Sequence, residues 1–142
     1  MSTDLLSDAK PLDLWPHVPP AIQAIMPNAT WNRAQLRALA LPVRNIPIAQ
    51  LRWHLDLPWW PYGERVFAIT PNQVRHDPET FAVEFWRMLD ADLDFPIHVL
   101  ERDRLLLLDG FHRLLKGDML EMRTISARIV DIAQFAEVLE RR

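Results

Sequence analysis

The chain has 142 residues, 49% hydrophobic and 25% charged, with a formal net charge of −3. This balance suits one globular domain and excludes a disordered chain or a nucleic-acid clamp driven by bulk positive charge. There is no cysteine, which excludes disulfides, thiolate metal sites and cysteine nucleophiles. The N-terminal MSTDLLSDAK lacks the basic and apolar regions of a secretory signal. The most apolar run, Leu105 to Leu108, is far shorter than the ~20 residues that span a bilayer. A cytoplasmic protein with no membrane contact is expected.

Residues 1–44 read as an N-terminal arm with short helices. Ser2, Asp4, Ser7, Asp8, Pro11, Pro16, Pro19 and Pro20 favour extended chain, with Trp15 as an anchor onto the body. Pro20 suits the first turn of a helix over 20–26 that Pro27 stops, and Thr30 is placed to cap a second over 30–40 with Trp31, Leu36 and Leu39 as its apolar stripe. Ile46, Ile48 and Leu51 mark a strand over 45–51, after which RWHLDLPWWPYGER reads as an aromatic, proline-rich loop. A strand follows over 65–69, then a turn-like stretch over 70–77. Asp77-Pro78 is a helix start, because aspartate caps and proline fits the first helical position. That helix is predicted to reach Asp90 with Phe81, Phe85, Met88 and Leu89 on its buried face.

The C-terminal half predicts a strand over 96–101, a turn at Arg102-Asp103 and a partner strand over 104–108, whose unbroken leucines call for burial on both faces. Asp109-Gly110 breaks the strand. A helix over 111–117 ends at Gly117 as C-terminal cap, a strand covers 124–130, and Asp131 with Gln134 forms a capping box for a last helix reaching residue 140. The expected fold is a single α+β (mixed α/β) domain over 45–142, a small mixed sheet with flanking helices.

LLLLDGFHRLLKG, residues 105–117, sets an acid, a glycine, a histidine and an arginine where a buried strand becomes a helix. Such a junction favours anions: the first helical N–H groups lack intrahelical partners, the dipole is positive there, and glycine lets a ligand approach the backbone. His112 and Arg113 add donors, and Lys116 lies three residues on. The bland alternative is a turn followed by a solvated helix face.

Residues 96–130, PIHVLERDRLLLLDGFHRLLKGDMLEMRTISARIV, resemble the core of the ParB/sulfiredoxin superfamily: Pro-Ile-x-Val, a hairpin, a strand ending in a Gly-x-x-Arg box, a helix and a closing strand. With the upstream strand and helix, the resemblance spans about the last two-thirds of the chain. It implies that Gly110, His112 and Arg113 bind nucleotide phosphates, with ATP, ADP or CTP and magnesium as ligands and Asp109 toward the metal; the helical spacing adds Lys116 as a phosphate contact from the same side. Sulfiredoxins carry cysteine where Phe111 stands, so their chemistry is excluded. The partition ParB proteins use Gly-Glu-Arg-Arg where Gly110 to Arg113 stand and add DNA-binding and dimerisation domains, so neither centromere binding nor a sliding clamp is expected here. The Asp-Gly-x-His-Arg box, Asp109 to Arg113, is most similar to the ADP-dependent free serine kinases of the superfamily.

That resemblance implies Asp109 and His112 as catalytic groups and a carboxylate base toward a small-molecule or protein hydroxyl. Glu64, Asp56 and Glu79 are the upstream carboxylates, with Glu64 the candidate base. Trp59, Trp60 and Tyr62, beside Arg52 and His54, offer a stacking surface for a base or substrate, or packing for a small core. A non-catalytic ParB-like module, whose aromatic loop binds a protein or nucleic acid, is the alternative. His17, His54, His76 and His98 show no metal-ligand spacing, and Ser2, Ser7 and Ser126 lie in no nucleophile motif. Nucleic acid is not favoured as a partner. Oligomeric state is not set by the sequence.

Overall fold

A computed structural model describes residues 5–142. Ser2 and Asp4 of the arm lie outside the described residues. The chain runs α1 (Pro20–Gln23), α2 (Arg33–Ala38), β1 (Arg44–Pro47), β2 (Trp60–Tyr62), β3 (Arg65–Ile69), α3 (Pro71–His76), α4 (Ala82–Asp90), β4 (Ile97–Glu101), β5 (Leu105–Asp109), α5 (Phe111–Met119), β6 (Thr124–Val130) and α6 (Ile132–Glu137). Four strands form a mixed sheet in the order β1-β6-β4-β5, and β2 with β3 form a separate hairpin. β4 and β6 run parallel, and the other pairs are antiparallel. The fold is α+β.

The leucine run explains how the sheet is covered. Alternate residues of a strand face opposite ways. Leu107 packs with Ile97, Val99, Ile125, Leu114 and Leu115 in one core, and Leu106 and Leu108 pack with Leu100, Val130 and Phe135 in a second. The helices α3, α4 and α5 serve the first core, and the arm with α6 serves the second. Trp31, rather than Trp15, seats the arm on α6, its ring 5.6 Å from that of Phe135. The peptide N–H of Lys10 bonds to the Glu140 carbonyl, that of Glu140 to the Thr30 carbonyl and that of Thr30 to the Lys10 carbonyl, each at 2.8 Å. Residues 5–44 therefore share a hydrophobic core with the C-terminal segment.

Several local expectations change. Residues 71–76 are helical, not a turn: Thr70 and Gln73 make a full capping box and Pro71 fills the first helical position. Asn32 rather than Thr30 caps α2, its side chain accepting from the Gln35 N–H at 2.9 Å. Thr30 instead donates to the Pro11 carbonyl at 3.1 Å. β1 stops at Pro47 and the chain turns through two short 3-10 stretches, Ile48–Gln50 and Arg52–Asp56. α4 starts at Ala82, four residues after Pro78, and Leu89 is exposed. Gly117 lies inside α5, where an added Cβ would stand 3.2 Å from Ile48 Cδ1. Its role is close packing on the first 3-10 turn.

Candidate functional site

The strand-to-helix junction forms as the sequence predicts. Gly110 caps α5 in a left-handed conformation, φ 108°, with no side-chain cap. An added Cβ would stand 2.5 Å from Ile97 Cγ2. Glycine is required on both counts. Leu114 N–H bonds to the Gly110 carbonyl as α5 begins, so the N–H groups of residues 111–113 precede the first helical bond. Gly110, Phe111, His112 and Arg113 line a cleft of about 590 Å³ with Trp59 and Trp60.

Asp109, at the end of β5, is buried. Arg37 of α2 grips both its oxygens, Nε to Oδ2 at 3.2 Å and Nη2 to Oδ1 at 3.0 Å, and Arg113 Nη2 reaches Oδ2 at 3.1 Å. Burial pushes the Asp109 carboxyl up. The neighbouring His98 ring, the Arg37 hydrogen bonds and the charges of Arg113 and Arg37 outweigh that and hold it well below the usual carboxylate range. His98 Nδ1 stands 3.6 Å from Oδ2, beyond hydrogen-bond reach, so the guanidinium groups dominate. Arg113 is fixed further by the Phe95 and Pro96 carbonyls at 3.1 and 2.7 Å. Magnesium fits Asp109 poorly, because both oxygens are occupied by arginine and the ion needs several oxygen ligands. Among the described residues, no three His, Asp or Glu gather as metal ligands.

His112 meets a carboxylate that sequence reasoning missed. Its Nε2 lies 2.6 Å from Oε2 of Glu84 on α4, and Arg87 Nη1 holds Oε1 at 3.0 Å. Glu84 is buried. The Trp60 ring stacks on the imidazole at 4.3 Å and 10°. Burial pushes the His112 imidazole below its usual range, opposed by the Glu84 hydrogen bond and charge and aided by Arg87 and Arg113. A neutral ring whose Nε2–H donates to Glu84 keeps its Nδ1 lone pair, so this network assigns the tautomer. The signal was present in α4: Glu84 falls between Phe81 and Met88 at i+3 and i−4, an acid set inside the apolar stripe.

The remaining predicted residues disperse. Lys116 Nζ donates to the Leu89 and Ala91 carbonyls at 2.7 and 2.6 Å, so it caps α4 and does not line the cleft. Glu64, Asp56 and Glu79 do not line it either. Glu64 is exposed in the β2–β3 turn, and Asp56 accepts from Asn72 Nδ2 at 2.6 Å. Tyr62 is exposed and edges onto Phe81. Trp60 is buried and Trp59 packs 4.8 Å from Phe111. Trp53 does not line the cleft, and Arg104 lies 3.8 Å over its ring. Arg52 is taken by Asp118, Nε to Oδ1 at 2.9 Å, and Asp118 also binds Arg75.

Arg33 and Arg37, from the arm, also line the cleft. They were invisible as site residues because Arg37 reaches Asp109 across 72 positions of sequence. No family model, curated protein or solved structure matches the chain. No helix among the described residues is long and apolar enough to cross a membrane.

Proposed function

We propose that the cleft at the start of α5 binds the phosphates of a nucleotide, ATP, ADP or CTP, and transfers a phosphoryl group to a hydroxyl of a small molecule or protein. The observation that carries this reading is Gly110 in its left-handed conformation. It turns β5 into α5 so that the uncapped helix start borders a cleft walled by arginine and by flat tryptophan rings. Backbone N–H groups and the positive end of the helix dipole suit phosphate oxygens. Arg33, exposed and without an ion pair among the described residues, adds an uncommitted counter-charge. Trp59 offers a stacking face to the base. The resemblance of Asp109 to Arg113 to the serine-kinase box points the same way.

In this reading His112 takes the proton. The acceptor oxygen bonds to phosphorus, the bond from phosphorus to the leaving nucleotide breaks, and the hydroxyl proton passes to His112 Nδ1 while Glu84 steadies the imidazolium. Glu84 replaces Glu64 as the carboxylate of the site. Magnesium arrives with the nucleotide as part of the substrate. Asp109 positions Arg37 and Arg113.

Calorimetric titration with ATP, ADP and CTP in magnesium, followed by a phosphoryl-transfer assay against a panel of hydroxyl acceptors, tests the proposal. Arg33→Ala is expected to weaken nucleotide binding about tenfold, the loss of one charge-assisted contact of ~1.4 kcal/mol. His112→Gln is expected to bind nucleotide normally and lose transfer by at least 100-fold. Absence of saturable binding to all three nucleotides, or transfer that survives His112→Gln, refutes it.

A further inference from the structure

A second cleft adjoins the first at Arg37, Asp109 and Arg113. It encloses about 560 Å³ and is lined by Arg37, Arg113, Arg128, His98, Asp92 and Phe95, with Asp109 on the shared wall. Its volume falls within the roughly 300–1,000 Å³ of small-molecule sites. Two of its side chains lack the partners that buried polar groups normally have. His98 is 2% exposed, and neither ring nitrogen has a hydrogen-bond partner. Arg128 Nε is buried without a partner, and its guanidinium enters no ion pair among the described residues.

These donors meet at one place because of the sheet. His98 on β4 and Arg128 on β6 are register partners in the parallel pair, and a β-bulge between His98 and Val99 sets His98 opposite Asp109 on β5. Three adjacent strands thus bring an imidazole, a guanidinium and a carboxylate to one end of the sheet. Arg37 and Arg113 are already committed to Asp109. Arg128 is uncommitted, and its planar fork matches an oxyanion.

We propose that this second cleft binds a small oxyanion, a carboxylate or phosphate group of a metabolite-sized molecule, with Arg128 as its principal contact and His98 beside it. Three arginines face two aspartates there, so the local balance is one net positive charge and favours a small anion. The exposed Asp92 carboxylate disfavours a polyphosphate by repulsion. Phe95 is exposed and supplies an apolar face for the hydrocarbon part of the ligand. The two clefts share Arg37, Asp109 and Arg113, whereas Arg128 and His98 line the second and not the first, so these two residues distinguish it from the nucleotide site.

The test is NMR titration of the full chain with inorganic phosphate and, separately, with butyrate, against chloride at matched ionic strength. The resonances followed are the Arg128 Nε–H and the His98 ring. A saturating shift of both groups with phosphate, butyrate or each is expected, and the responding probe identifies the oxyanion. Affinity should fall at least tenfold in Arg128→Gln and stay unchanged in Arg65→Gln, a surface arginine outside the cleft. Should Arg128→Gln fail to fold, Arg128→Lys decides, with at least threefold weaker binding expected. Nucleotide titration of the same variants should be unaffected, which separates this site from the first. A linear, non-saturating response to both probes, or unchanged affinity in the Arg128 variants, overturns the proposal.

Discussion

Gly110→Ala probes the hinge on which the site depends. Two costs arise, and the structure separates them. The left-handed φ of 108° costs an L-residue about 1–2 kcal/mol. The new Cβ would also stand 2.5 Å from Cγ2 and 3.0 Å from Cβ of Ile97, where carbon atoms normally keep about 3.5–4.0 Å. Ile97 is wholly buried on β4, so relief requires a shift in the sheet, an overpacking cost of about 1–3 kcal/mol. The sum is about 2–5 kcal/mol. Gly63→Ala is the internal control: φ is 60°, but nothing lies within 4 Å of the added Cβ, so only the backbone cost of about 1–2 kcal/mol applies. Urea denaturation followed by circular dichroism should give Gly110→Ala a loss exceeding that of Gly63→Ala by about 1–3 kcal/mol. Ile97→Ala removes Cγ2, so the double variant Gly110→Ala/Ile97→Ala should lose less than the sum of the singles by ~1 kcal/mol. Equal losses in the two glycine variants, or strict additivity with Ile97→Ala, would show that the Gly110–Ile97 approach does not constrain the junction.

His54 should make stability depend on pH. It is fully buried, its Nδ1 bonds to the Leu51 carbonyl at 2.8 Å and its Nε2 accepts from Leu107 N–H at 2.9 Å. Burial pushes its pKa down to about 4, with the Leu51 carbonyl opposing and Arg104 assisting. The unfolded chain therefore binds a proton near pH 6.5 that the folded chain refuses until about pH 4, and stability falls across that window by about 3 kcal/mol as pH drops. Urea midpoints at pH 7 and pH 4 should show this loss in the wild type and less of it in His54→Gln; parallel pH profiles would exclude His54 as the source. Asp118→Asn should cost about 1–3 kcal/mol by urea denaturation, because the buried carboxylate joins Arg52 and Arg75 to α5 and leaves Arg75 partly buried without its partner. Arg52→Ala should cost less than ~1 kcal/mol, since Arg52 is half exposed. A reversed order would place the anchor on Arg52.

The strand-to-helix junction at residues 105–117 was legible in the sequence because its causes are local: a leucine run that needs two covered faces, a glycine that can turn left-handed, and a helix following it. The capping box at Asp131 and Gln134 formed for the same reason. The capping box at Thr70 and Gln73 was equally local, with Pro71 fitting the first helical turn, although the stretch reads as turn-like. Partners from distant parts of the chain were another matter. The register that pairs Glu101 with Leu105 and Val99 with Leu107 would continue to set His98 opposite Leu108, and only the bulge moves it to Asp109. Arg37 reaches Asp109 from the arm, and Glu84 reaches His112 from α4, contacts that no sequence spacing encodes. Local residue choice set where a helix follows a strand with no side chain to cap its first N–H groups. Tertiary structure alone decided which charges stand around it, because ionic partners are selected by the packing of elements that are remote along the chain.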